Sequence, residues 1–201
     1  MTRIKLCGMS RMEDIDAVNR ILPDDIGFVF YERSRRYVSP EQAAKLRERL
    51  NPSVRAIGVF VDELPDRVAE YLRRGMIDAA QLHGSEDNSY IEALRRRCSA
   101  PVIKAFRIKK PDDLAAAKES IADELLLDAG AGDGEPLEWT WLKDFSGSYY
   151  LAGGLHPGNV AQAIACLHPR GVDVSSGIET DGIKDEEKMR AFADAVRGCG
   201  S

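Results

Sequence analysis

The sequence predicts an α/β protein built as a closed barrel of eight parallel strands, each followed by a helix. Two observations carry this. About eight extended apolar runs alternate with helical patterns, at roughly 25 residues per pair, which is the small end of the (β/α)8 size range. The apolar runs also show little period-two alternation, as strands covered on both faces require. A doubly wound open sheet ranks second because it usually has fewer units. No linker or low-complexity stretch interrupts the pattern, so a single TIM-barrel domain over residues 1–201 is expected.

The elements follow in order. "RIKLCG" is the first strand, and "SRMEDIDAVNRIL" the first helix. Ser10 is its expected N-cap, Glu13 the capping-box partner, and Ile15, Val18 and Leu22 its buried face. "DIGFVF" is the second strand. "SPEQAAKLRERL" opens a helix capped by Ser39, with Pro40 at its first position. "RAIGVFVD" and "LPDRVAEYLRRG" form the third pair, closed by Gly75. "IDAAQLHG" with "DNSYIEALRRRC" and "PVIKAFRI" with "KPDDLAAAKES" are the fourth and fifth. "ELLLDA" with "LEWTWLKDF" and "YYLAGG" with "NVAQAIACL" are the sixth and seventh. "GVDVSSG" with "KDEEKMRAFADAVRG" completes the set.

Composition narrows the function. The chain has 201 residues, 44% hydrophobic and 30% charged, with a net charge of −5. No basic stripe with interleaved aromatics appears, so no nucleic-acid partner is expected. No signal peptide or membrane-spanning run is visible, so no membrane association is expected. Cys7, Cys98, Cys166 and Cys199 form no CxxC pair and show no zinc-site spacing, so no metal site is expected. Reduced thiols in a cytoplasm follow as the default. No large apolar helix face stands out; a monomer is the default, with a weak homodimer as the alternative.

In such a barrel the site forms at the C-terminal ends of the strands. That rim carries Cys7, Arg36, Asp62, His83 with Gly84, Asp128, Gly153–Gly154, and Asp173 with Ser175–Ser176–Gly177. Helix capping would account for some of the Ser and Asp residues, but not for Cys7, Arg36 or His83. "LAGGLHPGNV" and "DVSSGIE" are glycine-rich strand ends. Glycine lets backbone N–H groups approach an anion, and loops seven and eight are the usual phosphate site of this fold. "GAGDG" at 130–134 lacks the GxGxxG spacing and reads as a loop, not a dinucleotide site. Trp139 and Trp141 are expected to pack rather than to stack on a ligand.

Taken together, "IKLCGMS", "IGFVFYERSRRYVSPEQA", "AIGVFVDE", "AAQLHG", "LLLDAGAGDGEPLEW", "LAGGLHPGNV" and "GVDVSSGIETDGIKD" resemble phosphoribosylanthranilate isomerase of tryptophan biosynthesis. They occur in the family's order along nearly the whole chain. The resemblance implies an Amadori rearrangement of N-(5-phosphoribosyl)anthranilate to 1-(2-carboxyphenylamino)-1-deoxyribulose 5-phosphate, with no cofactor and a small phosphosugar as the only partner. It implies Cys7 as base and Asp128 as acid. Arg36 would meet the anthranilate carboxylate, and Gly153, Gly154, Ser175, Ser176 and Gly177 would hold the phosphate. His83 and Asp173 would line the pocket. One departure is the loop after Asp128, which reads Gly132-Asp133-Gly134 and then Glu135-Pro136-Leu137-Glu138-Trp139 where the family commonly has a Gly-Thr-Gly-type stretch followed by Phe-Asp-Trp. Lys5, two residues before Cys7 on the same strand face, is expected to favour the thiolate. Three other readings compete: a different phosphate-binding barrel enzyme, a non-catalytic phosphosugar barrel, and a bifunctional isomerase also accepting a histidine-pathway aminoaldose.

Overall fold

Eight parallel strands close on themselves in sequence order in the computed structural model, which describes residues 1–128, 139–143 and 145–199. They are β1 (Arg3–Cys7), β2 (Asp25–Val29), β3 (Arg55–Phe60), β4 (Ala79–Leu82), β5 (Val102–Arg107), β6 (Glu124–Asp128), β7 (Tyr149–Ala152) and β8 (Gly171–Val174). Pairing of β1 with both β2 and β8 seals the barrel, with Lys5 opposite Asp25 on one side and Asp173 on the other. The outer ring comprises α1 (Met12–Ile21), α2 (Pro40–Arg49), α3 (Pro65–Arg73), α4 (Asn88–Arg95), α5 (Leu114–Lys118), α6 (Val160–Leu167) and α7 (Glu186–Gly198).

Successive residues of each strand face opposite sides. The outward set, including Ile4, Leu6, Ile26, Phe28, Phe60, Leu82, Val102, Leu127, Leu151 and Val172, packs with the helices as the main core. The inward set stacks in layers, as this fold requires. Its apolar part includes Ile57, Ala79, Ile103, Ala105, Leu126, Tyr150 and Ala152, with Val29 and Val59 beside Cys7 above them. Below that, at the N-terminal mouth, Asp25 accepts from Arg3 Nη2 at 2.9 Å, Arg55 Nε at 2.6 Å and the Tyr150 hydroxyl at 2.8 Å. Arg55 also pairs with Glu124 at 2.7 Å.

Several local expectations hold. Ser39 accepts from the Gln42 N–H, with Pro40 opening α2. Gly75 takes a left-handed φ after α3. Trp139 and Trp141 pack against the core.

Others need correction. The first helix is not capped by Ser10 with Glu13: the Asp14 carboxylate turns back to accept from the Ser10 and Arg11 N–H groups at 2.9 and 3.0 Å. Leu22 is not on the buried face. It leaves the helix with a left-handed φ and lies half in solvent, and Ile21 is buried instead. The helix expected over "LEWTWLKDF" appears among the described residues only as a 3-10 turn, Trp139–Leu142; aromatic and β-branched residues give it little intrinsic helix preference. The fifth helix is likewise short, preceded by a 3-10 turn Pro111–Asp113. Finally, a two-stranded hairpin of β9 (Glu179–Thr180) and β10 (Ile183–Lys184) sits between β8 and α7.

Candidate active site

The C-terminal mouth of the barrel opens on a cavity of about 430 Å³. Its walls carry Cys7, Arg36, His83, Asp128, Gly153, Gly154, Asp173, Ser175 and Ser176, so nine of the ten expected site residues share one space. The tenth, Gly177, lies immediately behind it. A Cβ there would fall 1.9 Å from the Leu155 carbonyl oxygen, so only glycine lets the loops after β7 and β8 pack together.

Cys7 ends β1 with its side chain turned inward, 8% exposed. The neighbouring strand makes room for it: a Cβ on Gly27 would come within 2.6 Å of the Cys7 sulfur. Burial pushes the thiol pKa up; Lys5 and Lys184 pull it down without overcoming burial, and Asp173 adds to the rise. The expectation that Lys5 favours the thiolate therefore has the right direction but loses to desolvation. Asp173 blunts it further by taking the Lys5 ammonium at 2.8 Å, with both side chains buried. Burial lowers the Lys5 pKa, yet Asp173 and Cys7 outweigh that and hold it at about 12. Asp173 thus belongs to the cavity floor as half of an ion pair.

Asp128 ends β6 on the opposite wall, one-fifth exposed, with His83 Nε2 3.5 Å from its Oδ2. Behind His83, Gln81 places its amide nitrogen 2.9 Å from Nδ1. With that amide donating, Nδ1 accepts and Nε2 carries the proton toward Asp128. Gln81 is buried and its own oxygen has no partner among the described residues. The acidic residues Asp133 and Glu135 lie outside the described residues.

Arg36 is pinned at the rim. Its Nε and Nη2 donate to Glu179 Oε1 and Oε2 at 2.6 and 2.9 Å. The side-on edge of the guanidinium is therefore occupied by Glu179, and these two bonds leave out its end-on edge, Nη1 with the second Nη2 proton.

The glycine loops have the shape of an anion cradle. Gly153 and Gly154 both take positive φ, at 97° and 62°, which a side chain would resist. Asn159 braces that loop, donating to the Gly154 carbonyl at 3.0 Å and accepting from the His156 N–H at 2.8 Å. Ser175 donates its hydroxyl to the Cys7 carbonyl at 3.2 Å, tying the last loop to the first strand. The serines do not cap the final helix; Asp185 does, accepting from the N–H groups of Glu187 and Lys188.

Sequence reasoning missed four members of this mouth: Gln81, Arg107, Glu179 and Lys184. Gln81 and Arg107 line the cavity, and both were findable as polar residues at inward positions of apolar strands. Asp62, though on the rim, latches two loops by accepting from the Ser85 N–H and hydroxyl. No group of His, Cys, Asp and Glu able to hold a metal ion occurs among the described residues.

Comparison with known proteins adds a separate line. Residues 4–195 match the family model of N-(5'phosphoribosyl)anthranilate (PRA) isomerase. A relative of that name from Acetivibrio thermocellus is 42% identical over 211 residues, covering 98% of this chain and 96% of its own. One from Geobacter is 42% identical, with 96% of each chain covered. Among solved structures, the phosphoribosyl anthranilate isomerase of Thermotoga maritima superposes with a TM-score of 0.88 at 34% identity, covering 98% of this chain and all of that one. A second structure, of phosphoribosyl anthranilate isomerase in complex with reduced 1-(o-carboxyphenylamino)-1-deoxyribulose 5-phosphate, gives 0.86 at the same identity and coverage.

Proposed function

The chain belongs to the N-(5'-phosphoribosyl)anthranilate isomerase family, and from that premise we propose that Cys7 and Asp128 are the base and the acid of its reaction. It is an isomerase of tryptophan biosynthesis, converting the aminoaldose N-(5-phosphoribosyl)anthranilate to the aminoketose 1-(2-carboxyphenylamino)-1-deoxyribulose 5-phosphate. The substrate is a small phosphosugar.

The steps balance as an internal redox exchange. Asp128, protonated, gives its proton to the ribose ring oxygen; the C1–O bond breaks and the anthranilate nitrogen supplies electrons to form a Schiff base. The Cys7 thiolate removes the proton on C2, and those electrons move to C1=C2, leaving an enolamine. The Asp128 carboxylate takes the O2 proton and the Cys7 thiol returns its proton to C1, which gives the ketone and restores both groups. The amine serves as the electron sink, so the residues named can complete the sequence by proton transfer.

The observation that supports this is the shared cavity. A thiol from β1 and a carboxyl from β6 face it from different walls, with the glycine loops of β7 and β8 between them. Backbone N–H groups of Gly153, Gly154, Ser175, Ser176 and Gly177 take the phosphate. Arg36 offers its end-on edge to the anthranilate carboxylate. His83 holds Asp128, and Asp173 holds Lys5 beneath the sugar.

The bifunctional aminoaldose reading is not favoured, since the family model and the relatives name the anthranilate reaction. We further propose one domain acting as a cytoplasmic monomer. Large exposed apolar residues such as Leu22, Leu64 and Ile183 sit on separate elements, and no described helix is long and apolar enough to cross a membrane. Light scattering tests the oligomeric state. The activity is tested by following the fluorescence of phosphoribosylanthranilate. The protein should quench it far faster than spontaneous hydrolysis does, and equal rates would sink the assignment.

A further inference from the structure

Glu179 lies outside the cavity wall, yet three basic side chains share its carboxylate. Its side chain is 4% exposed. Oε1 accepts from Arg36 Nε at 2.6 Å and Lys184 Nζ at 2.7 Å; Oε2 accepts from Arg36 Nη2 at 2.9 Å and Arg35 Nη2 at 2.7 Å. Lys184 continues the chain, donating to the Ser175 carbonyl at 2.8 Å. Burial works to raise the Glu179 pKa, but Arg36 and Lys184 override it and hold the carboxyl below its usual range.

The backbone builds this arrangement. "ETDGIK" folds as a tight hairpin in which Asp181 and Gly182 both take positive φ, so Glu179 and Lys184 stand directly opposite each other. From that register Glu179 reaches Arg36, whose stem is laid over Gly8: a Cβ on Gly8 would come within 2.5 Å of Arg36 Cδ. Arg36 is therefore held along its stem and along one edge.

We propose that Glu179 is the positioning residue for Arg36: it occupies the side-on edge so that the end-on edge is presented, fixed, to the carboxylate of the substrate. The proposal rests on the reading of Arg36 given above. It also sets positioning against simple charge. Glu179 is negative and so is the substrate; on Coulomb attraction alone, removing its charge would improve binding. Positioning requires the opposite, because an untethered guanidinium must be ordered at the moment of binding.

Steady-state kinetics of Glu179→Gln with N-(5-phosphoribosyl)anthranilate decide between them. The expected result is a KM raised about 10- to 100-fold with kcat within about threefold, as loss of a contact made equally in ground and transition states requires. In an Arg36→Met background, the same change should add less than about threefold. An unchanged or lower KM, or effects that simply multiply in the double variant, would overturn the proposal. Should Glu179→Gln fail to fold, Glu179→Asp keeps the charge but draws the carboxylate back by one methylene; its KM should rise, and the rise should vanish without Arg36. The ligand-free protein gives an independent reading. The Arg36 Nε–H should exchange slowly in the wild type and quickly in the variant, and equal exchange would contradict the proposal. A wild type without turnover would fail the functional reading alone, leaving the exchange measurement to decide the geometry.

Discussion

The two mouths of this barrel both carry paired polar side chains, but among the described residues only one of them also leaves groups whose chemistry is unmet. At the N-terminal mouth, Arg3, Asp25, Arg55, Glu124 and Tyr150 bond to one another and close the barrel like a plug. At the C-terminal mouth, Gln81 keeps a buried oxygen without a partner among the described residues, and Cys7 is a thiol buried against its own ionisation. Mutual satisfaction stabilises a fold; unmet demand is what a ligand can meet. Conservative residue chemistry at one end and costly chemistry at the other matches the division of labour known for this architecture.

Substitution should separate the two ends. The largest effect is expected at the upper mouth: Cys7→Ala and Asp128→Asn should each lower kcat by ~10²–10⁴-fold, with urea unfolding midpoints close to wild type. The converse belongs below. Asp25→Ala strips Arg3, Arg55 and Tyr150 of a shared acceptor and should cost ~3–5 kcal/mol in urea unfolding, while kcat of the folded fraction stays near wild type. If Asp25→Ala instead abolished turnover without loss of stability, the contrast between the ends would collapse.

The pH profile sharpens the comparison at Cys7. A base must be thiolate, and burial raises this thiol's pKa, so kcat/KM should keep rising beyond the ordinary thiol value of ~8.5. A plateau reached near neutrality would show that Cys7 is not the titrating base of the free enzyme. The smallest effect concerns Glu179, whose pKa is depressed in the folded state. Such a group contributes stability above its unfolded pKa of ~4.3, and that contribution fades as pH falls through the folded value. Thermal unfolding scans of wild type and Glu179→Gln should therefore converge as pH is lowered below ~4.

Much of this was legible before any coordinates. Strand and helix alternation pointed to the barrel because both faces of every strand are buried, and rim position put Cys7 and Asp128 among the strand-end candidates, while their roles came from the family resemblance. What escaped was tertiary. Arg36 was readable as a guanidinium at the rim, but its partner lies 143 residues away, so its tether could not be inferred. The hairpin behind it did leave a signal, an Asp-Gly pair between short β-like segments. Local pattern alone does not separate that pair from a lead-in to the final helix. The capping of α1 failed for a related reason: Ser10 and Asp14 both suit a helix start, and only the chain path selects the aspartate. Desolvation of Cys7 depends on Gly27 from the next strand, which local reasoning about Lys5 could not weigh.

The most direct test of the account is a crystal structure with the reduced product, 1-(o-carboxyphenylamino)-1-deoxyribulose 5-phosphate. The sugar should lie between the Cys7 sulfur and the Asp128 carboxyl, each within about 4 Å of the reacting carbons or oxygen, with the phosphate on the Gly153–Gly154 and Ser175–Gly177 loops. A ligand bound elsewhere, or one whose sugar contacts neither group, would contradict the assignment of acid and base.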